Sequence, residues 1–273
     1  MLLPDDKHAK AGEIALGTIP ADGPPPYDSP SGSSVGMSTI ARPVPPNMTV
    51  TNFLRIKRKN QSIKGSYVID PDLHVPEELL SASASADKDS SSSDKEDIED
   101  EMHGPRKNLE IECKNSSVTA DVWLVGTETH DDVDGTERKR AELDVKSKNG
   151  SVTLRLESVT NHPFALHAHA KNGSASVAIP TNFIGPVTIS AVGSWVSLSN
   201  AMKERLVTYS EANGIRICFI GDIRKAGYTG RETWTGSIVD VGSINSKVKL
   251  SFISEEVAKC SNGGGFFRWM FGG

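Results

Sequence analysis

His167 and His169 are the side chains in this chain best spaced to share a chemical task. Two residues apart in a strand, they project from one side, and the register around them places that side outward. Imidazole is a common zinc ligand, but a site needs at least one more donor, and the only other histidine near in sequence is His162. The expectation is therefore a pair of ordinary exposed strand histidines, with no metal or cofactor assigned. A second metal pattern falls on His130–Gly135, where Asp132, Asp134 and Gly135 stand in the order of a calcium loop. Its first ligand would be His130 and its twelfth position is Ala141, where a bidentate carboxylate is required. A charged loop that discourages aggregation is the better account.

Binding chemistry is more visible at the ends of the chain. Pro24-Pro25-Pro26-Tyr27 has the Pro-Pro-x-Tyr form read by WW domains, in which a polyproline-II segment fills an aromatic groove and the tyrosine a second pocket. A WW-domain ubiquitin ligase is the partner class this motif implies. At the other end a glycine hinge precedes Phe266, Phe267, Trp269, Met270 and Phe271, too short to span a bilayer and too apolar for a free tail. The tail is expected to cap the domain, ahead of docking on a partner or resting on a membrane. Trp234 and Tyr228 lie among Arg224, Lys225 and Arg231, a mixture that can anchor a partner but more readily covers the end of a repeat stack.

Composition narrows the classes. A 273-residue chain with 37% hydrophobic and 6% aromatic residues can bury one sizeable core, and its net charge of −5 gives no general attraction to nucleic acid. Cys113, Cys218 and Cys260 match neither a disulfide framework nor a zinc spacing and read as free thiols. The N-terminus lacks the apolar segment of a signal peptide, so a cytoplasmic address is expected. Residues 1–47 are rich in Pro, Gly and Ser and read as a disordered arm. Residues 76–107 form a serine-rich acidic insertion in which Ser91 and Ser93 suit an acid-directed kinase, although a solvated spacer is favoured. Residues 259–273 make the tail.

The intervening segment, 48–258, is organised by a repeat. Around Asn149-Gly150, apolar residues stand at Leu143 and Val145 before the turn and at Val152, Leu154 and Leu156 after it, while Asp144, Thr153, Arg155 and Glu157 take the alternate positions. Period two gives each flank one buried and one polar face. The same register recurs around Asn60, Asn115, Asn172, Gly193 and Asn245, and weakly around Ala212, where Ile215, Ile217 and Phe219 would face inward. Asn-Gly and glycine accommodate positive φ at such turns. The same turn chemistry accounts for Asn-x-Ser patterns that would otherwise read as glycosylation sites.

The anchors are separated by 55, 34, 23, 21, 19 and 33 residues. The unit is about 20 residues, with insertions at roughly 70–107, 124–140 and 221–236. An all-β, repeat-built solenoid follows, a parallel β-helix of about seven coils, with an antiparallel β-sandwich as the alternative.

The Pro-Pro-Pro-Tyr motif, Ser66-Tyr67-Val68-Ile69-Asp70-Pro71, the Lys-Asn-Gly-Ser turns and the aromatic tail together resemble an uncharacterised domain family of mushroom-forming fungi over most of residues 20–258. The repeated Asn-Gly strands are also similar in style to bacterial putative-adhesin domains, a resemblance that implies a right-handed β-helix. Neither supplies an activity or a functional residue. No constellation rises to an active site, so the expectation is a non-enzymatic protein-interaction or scaffold module. The alternative is a β-helical carbohydrate-active or carbohydrate-binding protein. Glycoside chemistry would need paired outward carboxylates on adjacent copies, and the outward positions read mostly as Lys, Thr, Ser and Ala.

Overall fold

The alternating pattern resolves into two sheets. The computed structural model describes residues 44, 48–76, 78–79, 106–126 and 139–256; the Pro24–Tyr27 motif, most of the acidic insertion, the His130–Gly135 loop, Cys260 and the aromatic tail lie outside the described residues. One sheet has eight strands, in the spatial order β12 (Leu206–Ala212), β13 (Ile215–Ile220), β10 (Gly185–Ala191), β14 (Ile238–Ser243), β8 (Phe164–Ala170), β6 (Ala141–Ser147), β4 (Leu109–Cys113) and β2 (Leu54–Arg58). The other has seven: β1 (Val50–Thr51), β3 (Ile63–Ile69), β5 (Val118–Leu124), β7 (Val152–Ser158), β9 (Ala175–Ile179), β15 (Val248–Phe252) and β11 (Val196–Leu198). Neither closes into a barrel. Every pairing among the described residues is parallel except those of β13 with β10 and with β12. The antiparallel sandwich is therefore not the arrangement adopted.

Equal register in the sequence becomes equal height in the sheets. Leu109, Leu143, Leu166, Val239 and Val187 are successive Cα partners, as are Ile111, Val145, Ala168, Val241 and Ile189. In the facing sheet Ala120, Leu154, Val177, Leu250 and Leu198 form a matching column. Nearly all of these side chains are fully buried in a single core cluster. Stacking like on like removes each apolar stripe from water without a second layer of helices.

The turns at Asn149-Gly150 and Asn172-Gly173, which carry the chain from one sheet to the other, work differently from the expectation. Neither Asn149, Gly150, Asn172 nor Gly173 has positive φ; Asn161, Asn213, Gly193 and Gly214 do. The asparagines instead form a ladder. Asn115 Nδ2 donates to Asn60 Oδ1 (2.7 Å), Asn149 to Asn115 (2.8 Å), Asn172 to Asn149 (2.8 Å) and Asn245 to Asn172 (2.9 Å). Side-chain amides carry both donor and acceptor, so a stack of identical ones satisfies itself. Glycine answers a demand for space. A Cβ on Gly150 would lie 2.2 Å from the Ser116 carbonyl oxygen, and one on Gly173 2.3 Å from that of Gly150.

A third device sits just inside the ladder. Cys113 Sγ donates to the Gln61 carbonyl (3.4 Å), Ser147 Oγ to that of Ser116 (2.8 Å) and Ser243 Oγ to that of Gly173 (2.9 Å). Each ties its strand end to the residue after the ladder asparagine of the neighbouring turn. Cys113 and Cys218 are buried free thiols, and Cys113 has this structural duty.

Two features depart from simple succession. Although β14 and β15 come last in the chain, they lie between β8/β9 and β10/β11. The weak copy near Ala212 is an antiparallel hairpin, β12–β13, and its facing is inverted. Cys218 and Ile220 are buried, whereas Ile215 and Ile217 are exposed. The inversion follows from pairing β13 antiparallel to β10, with Cys218 opposite the inward Val187. Helix α1 (Asn200–Arg205), capped by Ser199, buries Met202 in the core cluster next to β15. The insertions leave at Ile69 and Leu124, which are Cα partners, and at Ile220, opposite Gly185 at the start of β10.

Because Gly150 faces backbone, which cannot move aside as a side chain can, Gly150→Ala is expected to destabilise by about 1–3 kcal/mol. Asn149→Ala, which breaks an exposed ladder, is expected to cost about 1 kcal/mol. Urea unfolding of the full chain measures both; a Gly150→Ala variant as stable as the parent would contradict the close approach.

Candidate functional site

The outward face of the eight-stranded sheet carries two rows of ionisable groups, because parallel register lines them up. One row runs Arg55, Glu110, Asp144, His167, Asp240 and Thr188; the next runs Lys57, Glu112, Lys146, His169, Gly242 and Ser190. Facing residues in neighbouring strands are close enough to interact. Signs alternate along most of the face, so it is held together by its own charges.

The centre is His167, His169 and Asp240. His167 Nδ1 lies 3.6 Å from Asp240 Oδ2, and His169 Nε2 lies 3.5 Å from Asp240 Oδ1. The three donor atoms all fall within 4.8 Å of one another. Asp240 Oδ1 is buried and makes no hydrogen bond. Partial burial pushes the Asp240 carboxyl up, but the neighbouring imidazoles outweigh it and hold the group well below the usual carboxylate range. The His169 ring leans into the space that Gly242 leaves: a Cβ there would meet His169 Nδ1 at 2.6 Å and Ser190 Cβ at 3.1 Å. His162, the other histidine near in sequence, is elsewhere. It is buried, and its Nε2 donates to the Lys139 carbonyl (3.1 Å).

Beside this cluster, Asp144 is buried although it stands on the outward face. Lys107 and Lys146 both donate to its Oδ2, Lys146 at 2.8 Å. Burial raises its pKa, but the two ammonium groups more than offset that and lower it. Glu110 receives Arg55 (3.1 Å) and Lys57 (3.7 Å). Glu110 and Asp144 are thus paired outward carboxylates on adjacent strands, contrary to the expectation that such pairs are missing. Both are engaged by cations, so neither is a free acid or base for glycoside chemistry. On the opposite sheet Arg155 joins Asp121 (3.4 Å) and Glu256 (3.0 Å), with Lys249 also on Glu256 (3.1 Å).

At the far end of the same face the charges give way to the β12–β13 hairpin. Phe219 is covered by Tyr228 and Trp234, with ring centroids 5.2 and 6.1 Å away. Trp234 Nε1 donates to the Ser237 carbonyl (3.0 Å), and Arg140 donates to the carbonyl of Trp234. Trp234 is therefore built into a lid over the hairpin. Past that lid, Val207, Tyr209, Ile215 and Ile217 are exposed.

A family model, the domain of unknown function DUF7330, matches residues 52–255. The chain belongs to that family. The match takes in β2 through β15 and so includes the histidine–aspartate cluster and the hairpin. No curated protein matches the chain, and no solved structure does. Among the described residues no helix is long and apolar enough to cross a membrane.

Sequence spacing found two members of the cluster, His167 and His169, on one outward side. It missed Asp240, 71 positions beyond His169, because the displacement of β14 beside β8 has no local signal. The outward polarity of Asp240 between Val239 and Val241 was legible, but not its neighbour. Of the expected partner-binding residues, Trp234 alone is described; Pro24, Pro25, Tyr27, Phe266, Phe267, Trp269 and Phe271 lie outside the described residues.

The Asp144 network gives a pH signature. A carboxyl with a lowered folded-state pKa contributes stability above its unfolded value of about 3.9, and that contribution is lost as the pH falls through the folded value. Asp144→Asn is expected to cost about 1–3 kcal/mol near neutrality, with the difference from the parent shrinking below about pH 4. Urea unfolding at a series of pH values checks this, and a pH-independent difference would refute the assignment.

Proposed function

We propose that this chain is a non-enzymatic interaction module. Its body is read as a β-solenoid of six two-strand coils: β2/β3, β4/β5, β6/β7, β8/β9, β14/β15 and β10/β11. The β12–β13 hairpin covers one end. Common register in both sheets and the continuous apolar columns support that reading.

One observation carries the interaction reading. Val207, Tyr209, Ile215 and Ile217 are 48, 54, 41 and 52% exposed. Val207 is the partner of outward Phe219, and Ile217 and Ile215 continue that face. A cluster of large apolar side chains left in water on a rigid sheet is the usual mark of a protein contact. The strand edge itself is a poorer docking element, because the register of β12 shifts between Thr208 and Ser210 and a bulge interrupts regular pairing. A partner with an apolar surface therefore meets the face of the hairpin and not its edge. The Pro24–Tyr27 motif would add a second, independent contact through a WW domain.

The test compares the intact chain with Tyr209→Asp/Ile217→Asp and with Tyr27→Ala, using quantitative proximity labelling. The hairpin variant is expected to lose a defined set of partners at least tenfold, and the Tyr27 variant a separate set containing WW domains. Retention of every partner by the hairpin variant, with unchanged melting, would overturn the hairpin reading. A concentration-dependent change in size that the hairpin variant abolishes would replace it with self-association.

A further inference from the structure

We propose that His167, His169 and Asp240 form a three-ligand site for a divalent transition metal of the zinc class, with its fourth position open on the outward face of the sheet. The site is independent of the interaction reading above. Three observations support it.

The first is distance. An N–H···O hydrogen bond spans roughly 2.7–3.2 Å, and the 3.5 and 3.6 Å separations between the imidazole nitrogens and the Asp240 oxygens are longer. Donors around a tetrahedral zinc, each about 2.0–2.1 Å from the ion, stand about 3.3–3.4 Å apart. The 3.5 and 3.6 Å separations run to the two different Asp240 oxygens, and one donor atom from each residue can be chosen so that all three lie within 4.8 Å of one another. Binding requires the two rings to rotate inward to reach the tetrahedral spacing.

The second is an unmet need. Asp240 Oδ1 is buried without a hydrogen-bond partner, as is Oδ1 of Asp144, its counterpart two strands away in the same row; the Asp144 carboxylate, however, is neutralised through its Oδ2 by two lysines. Among the described residues no ammonium or guanidinium group pairs with Asp240; its ionic neighbours are the two imidazoles. A buried carboxylate oxygen needs a positive partner, and a metal ion bridging to the imidazoles supplies one.

The third is space. Gly242 is the only residue of its row without a side chain, and the His169 ring occupies the room that a Cβ would take. Glycine inside a strand commonly marks a close approach; here it lets His169 turn toward Asp240.

Two imidazoles and one carboxylate suit Zn2+, Co2+, Ni2+ or Cu2+ better than Mg2+ or Ca2+, which prefer all-oxygen sets. All three ligands stand on adjacent parallel strands, β8 and β14, whose register fixes their spacing before any ion arrives. Three protein ligands leave a position for water or for a Lewis-basic side chain of another molecule.

The test titrates the purified full chain, stripped with a chelator, with Zn2+ by calorimetry and with Co2+ by visible absorption. One equivalent is expected to bind, with the intense visible bands of four-coordinate Co2+. His167→Ala/His169→Ala is expected to abolish that binding, and Asp240→Asn to weaken it at least tenfold. Gly242→Ala keeps every ligand but displaces the His169 ring, and is expected to weaken binding about 10–100-fold, the range for groups that orient ligands. Thermal melting in chelator separates loss of the site from loss of the fold, since the histidines are partly exposed and should be replaceable. The proposal is overturned if the double histidine variant, folded in chelator, binds Zn2+ as the parent does, or if the parent yields no bound equivalent.

Discussion

In-register parallel stacking is the constraint on which the rest of this structure depends. Neighbouring strand–turn–strand units lie backbone against backbone at the turns, as the crowding of Gly150 on Ser116 and of Gly173 on Gly150 shows. At that separation the asparagine amides meet as a ladder, and the Cys113, Ser147 and Ser243 side chains reach carbonyls of the neighbouring turn. Polar turns that would otherwise face only water are linked to one another. The apolar columns then close behind them, so turn chemistry and core packing demand the same register.

The same constraint writes a pattern on the outside. A strand that aligns leucine with leucine inside must also align its alternate residues outside, which brings Arg55, Glu110, Asp144, His167 and Asp240 into one row. Stacked like charges are unfavourable. Lysines interposed from neighbouring rows relieve the Glu110–Asp144 pair. Beyond His167 no such cation appears among the described residues, and the carboxylate there faces two imidazoles. The row changes from a structural charge ladder into a cluster with ligand chemistry at the point where β14 enters the sheet.

That entry is also where chain order and spatial order part. Placing β14/β15 between β8/β9 and β10/β11 moves β10 toward the end of the stack, where β13 pairs with it in the antiparallel sense. Reversal turns Ile215 and Ile217 outward, and Tyr228 and Trp234 fold over only Phe219. The exposed hairpin and the histidine–aspartate cluster are thus two consequences of one topological displacement. They lie on the same face, separated by the short outward side chains Thr188 and Ser190 of β10.

The sequence by itself determined the strands, their facing and their repeat, since period-two alternation and a fixed offset from each asparagine are local properties. Leu143, Val145, Val152 and Leu154 could be placed inward, and His167 and His169 outward, from spacing alone. It also located the insertions. It read positive φ correctly at Gly193 and Asn213-Gly214 but wrongly at Asn149-Gly150 and Asn172-Gly173, because a ladder and a steric gap arise only when a second strand–turn–strand unit lies alongside. It misread Ile215 and Ile217 as core, because facing depends on the sense in which β13 meets its neighbour; Phe219 is buried as expected, but on the outward face, beneath Tyr228 and Trp234. Only the tertiary structure decided that β14 lies beside β8 and so gave His167 and His169 their third partner: pairing between parallel strands is set by the global stack, and nothing within Ile238–Ser243 specifies which strand it will join.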